Sequence, residues 1–232
     1  MSELVSRLLI LCLILVPGMV TADEVVNLYS ARHYDTDEAL YLNFHKKTGI
    51  KVNLIEGGSD GLIERLVNEG KYSPADVLIT VDAGRLWSAE QKGVFQATSS
   101  EILNKRVPPN LRHPDGLWFG LSKRGRIIAY NKQRGLPADV KDYEDLANAS
   151  LDNQVCMRSS SNIYNLSLMA SLIEANGAES AEIWARGVVS NFARSPQGND
   201  TAQLRAVSSG ECGITVANTY YIGRLMGSEK QA

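Results

Sequence analysis

Between residues 25 and 92 the chain alternates short apolar runs of β type with segments of helical type, and this alternation narrows the folds open to it. Residues 25–30 form the first β run. A helix is expected over 36–47, opened by Asp35 or Thr36, with Ala39, Leu40, Leu42 and Phe44 as its partly periodic apolar positions and Gly49 as its stop. Residues 50–55 make a second strand. A helix over 61–70 follows, with Leu62, Ile63, Leu66 and Val67 inward. Residues 76–81 are the third strand and 85–92 the next helix. Strands separated by helices predict a parallel sheet with covered faces, an α/β fold.

Beyond Pro108-Pro109 the pattern changes. Residues 116–131 give two β segments with no helix between them, as expected where a chain crosses between lobes. A strand over 154–158 leads into Ser159-Ser160-Ser161-Asn162, which caps a helix from Ile163 to about Ala175 with Leu166, Met169, Ala170 and Ile173 on one side. A helix at 179–189 follows. Another, opened by Asp200 or Thr201, ends near Gly210, and the apolar run 212–217 reads as a buried parallel strand. The expected organisation is a first lobe over 23–120 and a second over 121–232.

The first 22 residues differ from all of this. Leu8 to Val16 is continuously apolar, Pro17-Gly18 breaks it, and Val20-Thr21-Ala22 has the small-residue spacing of a signal-peptidase site. The run is shorter than the roughly 20 residues that span a bilayer, so it reads as a cleaved secretory signal. Leu11 stands where a lipid-anchored Cys12 would need a small residue. An exported chain then retains Cys156 and Cys212, both at expected strand starts that adjacent parallel strands would bring together, so a disulfide is expected, with two buried thiols as the alternative. A net charge of −2 gives no electrostatic footprint for nucleic acid.

Chemistry concentrates in Asn218-Thr219-Tyr220-Tyr221-Ile222-Gly223-Arg224. Tyrosines adjacent at a strand-to-helix corner diverge by roughly 100°, which lets both hydroxyls converge on one point above the sheet. A phenol keeps its proton to about pH 10, so an anionic role requires a strong Lewis acid. Ferric iron is such an acid, and phenolate is a hard oxygen donor. The plainer reading is one core and one surface aromatic. Two further loops at strand ends carry His33-Tyr34 and Tyr164, whereas Tyr41, Tyr72, Tyr130 and Tyr143 read as structural. A non-haem iron enzyme would need two histidines and a carboxylate in a triad, and His33, His45 and His113 do not form one with an acid in the sequence. No nucleophile elbow, HExxH or P-loop is present, so an enzyme is not expected.

Three segments, residues 28–37, 158–165 and 217–225, resemble the ferric-iron-binding periplasmic proteins of ABC uptake systems, specifically the cyanobacterial FutA-like group of the type II solute-binding fold. That resemblance implies two lobes closing over iron, with Tyr34, Tyr164, Tyr220 and Tyr221 as phenolate ligands and His33 as a fifth donor in some relatives. The cargo is then Fe3+, with Fe2+ left open. The partner is an inner-membrane ABC permease, and the binding protein is a periplasmic monomer that does not span the membrane once its signal is cleaved. Arg224 would offset phenolate charge. Ser160 and Asn162, at a helix N-terminus, would hold an anion such as carbonate. Relatives continue past the position of Ala232 to complete the first lobe, so the chain is expected to be C-terminally truncated with that lobe incomplete. The alternative within the same fold is a protein for a small anion or organic ligand.

Overall fold

The computed structural model describes residues 24–32 and 34–229. The expected signal at residues 1–22 and the expected donor His33 lie outside the described residues, as do residues 230–232. By internal contacts the chain divides into two units, with the break between Ile79 and Thr80. The lobe change expected at residues 120 and 121 comes later than this break, because the helix at Ala83–Gln91 packs against the one at Ile163–Asn176. Among the described residues no helix is long and apolar enough to cross a membrane.

In the first unit, β1 (Val25–Ser30) lies between β2 (Lys51–Glu56) and β3 (Val77–Ile79), all parallel. Helices α1 (Asp35–Thr48) and α2 (Ser59–Glu69) make the connections, as the alternation of apolar runs predicts. Leu28, Tyr29, Leu62 and Ile63 are buried. The Tyr29 hydroxyl donates to the Glu69 carboxylate at 2.9 Å, and Ser73 and Arg65 donate to the same carboxylate. Val67 is exposed rather than inward.

The apolar positions of α1 do not form a buried stripe. Leu40, Leu42 and Phe44 are all exposed. Their spacing explains this, since Leu42 lies about 160° around the helix from Phe44 and no single face collects all of them. Nor is α1 capped by Asp35 or Thr36. Its N-cap is Tyr34, without a side-chain cap bond, while Gly49 closes the other end in the left-handed region at φ 77°.

The second unit holds α3 (Ala83–Gln91), α4 (Glu101–Arg106), β4 (Arg126–Tyr130), β5 (Val155–Cys156), α5 (Ile163–Asn176), α6 (Ala178–Ser190), α7 (Asp200–Ser209), β6 (Ile214–Asn218) and α8 (Thr219–Glu229). β6 is central, parallel to β5 and antiparallel to β4, and all five of its residues are buried. Of the two β segments expected over 116–131 only β4 forms. Residues near 119 make one antiparallel bridge, Arg112 with Phe119, around the turn at Gly116.

Helix α5 presents a different stripe from the one expected. Leu168 and Leu172 are buried against Leu146, Val155, Ile214 and Val216, whereas Leu166 and Ile173 are exposed. The segment is apolar on most sides, so periodicity alone does not choose the inner face. The choice matters, because Tyr164 lies four and eight residues before Leu168 and Leu172 and shares their stripe. Helix α7 is capped by Asn199, whose side chain accepts from the Ala202 N–H at 3.1 Å, so Asp200 falls inside the helix instead of capping it.

Cys156 and Cys212 are disulfide-bonded, with Cα atoms 5.8 Å apart. Parallel pairing of Val155 with Ile214 brings the two cysteines together at the start of β6. The bond spans 56 residues of sequence, so reduction releases a long loop in the unfolded chain. Replacing both cysteines by serine is expected to lower stability by about 2–5 kcal/mol, read as a fall in the denaturant midpoint of the oxidised protein.

Candidate metal centre

The corner at the end of β6 is abrupt. Asn218 is the last strand residue and Thr219 the first of α8, so Tyr220 and Tyr221 occupy the first turn with no loop between. The Thr219 N–H donates to the Gly125 carbonyl at 2.9 Å, which joins the corner to the approach to β4. The two rings stack at 4.2 Å between centroids with planes tilted by 34°. The hydroxyls of Tyr220 and Tyr164 stand 3.5 Å apart, the outer limit of a hydrogen bond. Tyr164 reaches this point from the first turn of α5, where Asn162 caps the helix by accepting from the Tyr164 N–H at 3.1 Å.

Three guanidiniums surround the Tyr164 ring. The central carbons of Arg124, Arg158 and Arg126 lie 4.6, 5.4 and 5.8 Å from its centroid. Two of them, Arg126 and Arg158, are paired with Asp200, whose side chain is fully buried. One carboxylate oxygen accepts from Arg158 at 3.1 Å. The other accepts from Arg126 at 3.0 Å and from the Asn218 N–H at 2.9 Å. Asn165 accepts from Arg126 at 2.7 Å and donates to the Arg158 carbonyl at 2.9 Å. Arg124 pairs instead with Asp82 at 3.3 Å.

Burial raises the Tyr164 phenol to a pKa of about 12, with the Tyr220 hydroxyl adding to the rise and Arg124 and Arg158 opposing it. Tyr220 is also raised, again chiefly by burial. Both rings are therefore neutral near pH 7, and anything that binds them as phenolates must displace their protons.

Of the expected site residues, Tyr164, Tyr220 and Tyr221 come together here. Tyr34 belongs to the first unit, where it is 37% exposed and lies under Arg32 at 5.0 Å. Arg224 is exposed one turn beyond the tyrosine pair. Ser160 is exposed, and the Asn162 side-chain oxygen is engaged as the helix cap. Among the described residues, no group of three or more His, Cys, Asp or Glu side chains is placed to hold a metal ion. Sequence reasoning missed Asp200, Arg126, Arg158 and Asn165. One signal was available: Arg126 opens an apolar run, and an arginine buried in a strand requires a partner.

The sequence matches the profile of the bacterial extracellular solute-binding protein family over residues 73–230. The chain belongs to that family. Among relatives of this family member, Iron uptake protein A1 of Synechocystis is 59% identical over 209 residues, covering 90% of this chain and 58% of the relative. The Fe(3+)-binding periplasmic protein of Serratia marcescens is 29% identical, covering 87% of this chain and 59% of that protein. The solved Trichodesmium (IdiA) (FutA) structure, in complex with iron and citrate ligands, matches with a TM-score of 0.83 and 59% identity, over 87% of this chain and 64% of that one. The chain thus spans less than two thirds of the length of these relatives. The α/β architecture expected from the sequence is that of the type II periplasmic binding proteins.

The Asp200 carboxylate offsets two arginines whose side chains are only 10% and 15% exposed. Asp200→Asn keeps the shape and removes the charge, leaving both cations uncompensated. The substitution is expected to destabilise the protein by about 3–5 kcal/mol, measured by chemical denaturation, whereas neutralising the exposed Glu182 of the Arg186 pair should change stability by less than about 1 kcal/mol.

Proposed function

We propose that this chain captures ferric iron through tyrosine phenolates in the periplasm and delivers it to an inner-membrane ABC permease. The observation that carries the reading is the approach of the Tyr164 and Tyr220 hydroxyls to 3.5 Å, with the Tyr221 ring stacked beside them. Half-buried phenols have little use as anions unless a strongly acidic cation displaces their protons, and a hard trivalent cation does so. The relatives named above are an iron uptake protein, a ferric-binding periplasmic protein and an iron complex, which supports the same reading.

In this scheme Tyr164, Tyr220 and Tyr221 supply three phenolate oxygens. Tyr34 and His33 are further donors proposed on the resemblance alone. The guanidiniums of Arg124, Arg126 and Arg158 steady the negative charge that appears on Tyr164 when its proton leaves. Arg224, one turn beyond the pair, adds positive charge on the same helix. Residues 1–22 direct export and are removed. Reduction weakens the complex, because ferrous iron holds phenolate less strongly, and gives one route to release.

Adding ferric citrate to the purified protein is expected to produce a visible phenolate-to-iron charge-transfer band. Tyr220→Phe with Tyr221→Phe should abolish that band while the circular dichroism spectrum stays parental. A colourless protein that binds citrate alone would replace iron by the small-anion alternative.

Acidification should also weaken the complex. Burial raises the metal-free Tyr164 phenol to about 12 and raises Tyr220 as well, so each phenolate formed from them on binding releases one proton. Apparent ferric affinity should therefore rise with pH between about 5 and 8, by roughly one logarithmic unit per pH unit for each phenol ionised. Competition against a chelator whose own protonation is known measures that slope, and a flat profile would show that the phenols are not the ligands.

A further inference from the structure

Asp82 combines features that helix capping alone does not explain. Its carboxylate accepts from the Gly84 N–H at 3.0 Å and so caps α3. Capping residues ordinarily sit in extended backbone, and Ser100, Asn162 and Asn199 do so here at φ −144°, −73° and −115°. Asp82 instead has φ 82° and ψ 141°, at the edge of a region that is essentially glycine's. The other non-glycine residue with positive φ among the described residues, Asn153 at 55°, lies where asparagine is at ease.

The strained conformation places the carboxylate between two elements of the tyrosine cluster. One oxygen, besides capping α3, accepts from the Ser167 hydroxyl, three residues after Tyr164 on α5. The other accepts from Arg124 at 3.3 Å, and that guanidinium lies 4.6 Å from the Tyr164 ring centroid. The side chain is 11% exposed. Gly84 reports how close the two helix starts come: a Cβ there would stand 2.9 Å from the Ile163 side chain and 3.3 Å from the Ser167 hydroxyl. Without that approach the carboxylate would not reach α5.

We propose that Asp82 is a positioning residue for the tyrosine site, held in a strained backbone so that one carboxylate fixes both Arg124 across Tyr164 and Ser167 on α5. The proposal rests on the iron reading above. Its logic is geometric: loss of the carboxylate frees Arg124, which lies against the Tyr164 ring, and unties Ser167, three residues further along the helix that carries Tyr164.

The test compares Asp82→Gly, Asp82→Ala and Asp82→Asn with the parent, in thermal unfolding without iron and in the rate at which EDTA removes iron, followed at the charge-transfer band. Only glycine accepts φ 82° freely, so Asp82→Gly should melt above Asp82→Ala. Despite that advantage, Asp82→Gly should release iron about tenfold faster than the parent, the factor that corresponds to about 1.4 kcal/mol. Asp82→Asn keeps an oxygen for Ser167 but not the ion pair, and should fall between the two. Equal melting of the glycine and alanine variants, or parental iron release from Asp82→Gly, overturns the proposal while the iron reading stands. A parent that forms no charge-transfer band overturns both.

Discussion

A carboxylate removed from water must have its charge met by the protein, and in the second unit this requirement falls on Asp200. Both of its oxygens are occupied. Arg158 holds one, and Arg126 and the Asn218 N–H hold the other. The four residues involved come from the start of β4, the exit from β5, the end of β6 and the first turn of α7. One interaction therefore gathers the strand ends from which the tyrosine-bearing segments leave. The helix contributes as well, since a negative charge in its first turn meets the positive end of the α7 dipole.

Strand β6 is consequently fixed at both ends. Its entry follows Cys212, bonded to Cys156 on the neighbouring strand, and its exit is held by the carboxylate at Asn218. All five strand residues, Ile214–Asn218, are buried. A strand so constrained has little freedom in direction or register, and a one-residue slip would turn its apolar side chains to the wrong face. Because α8 begins at the next residue, that rigidity passes directly to Tyr220 and Tyr221. Tyr34 contrasts with them, being exposed at a helix start without a side-chain cap.

The alternation of apolar runs and helical segments was legible in the sequence because each follows from local chemistry: β-branched runs, glycine stops and caps. The tyrosine corner was legible for the same reason, as was the proximity of Cys156 and Cys212 at strand starts. What escaped depended on partners distant in sequence. Asp200 sits where a cap is expected, and only burial against Arg126, 74 positions away, reveals a different role. The inner face of α5 was ambiguous because apolar residues surround it, and tertiary packing chose Leu168 and Leu172. Leu40, Leu42 and Phe44 show the converse error, in which apolar composition alone suggested a buried face that their angular spacing does not support.

Three arginines around a proposed cation site look self-defeating, since like charges repel. The pairing resolves this. Arg126 and Arg158 share the fully buried Asp200, and Arg124 has Asp82, so three guanidiniums face two carboxylates and the local excess is one positive charge. Each carboxylate touches an arginine, and among the described residues none is hydrogen-bonded to the Tyr164 phenol. An approaching cation thus meets cations already largely offset, while the ring keeps its immediate positive neighbours. Once the phenol loses its proton, those neighbours act on a full negative charge rather than on a ring quadrupole, and their attraction grows. Arg124 and Arg158 accordingly favour the ionised ring over the protonated one, against the opposing effect of burial.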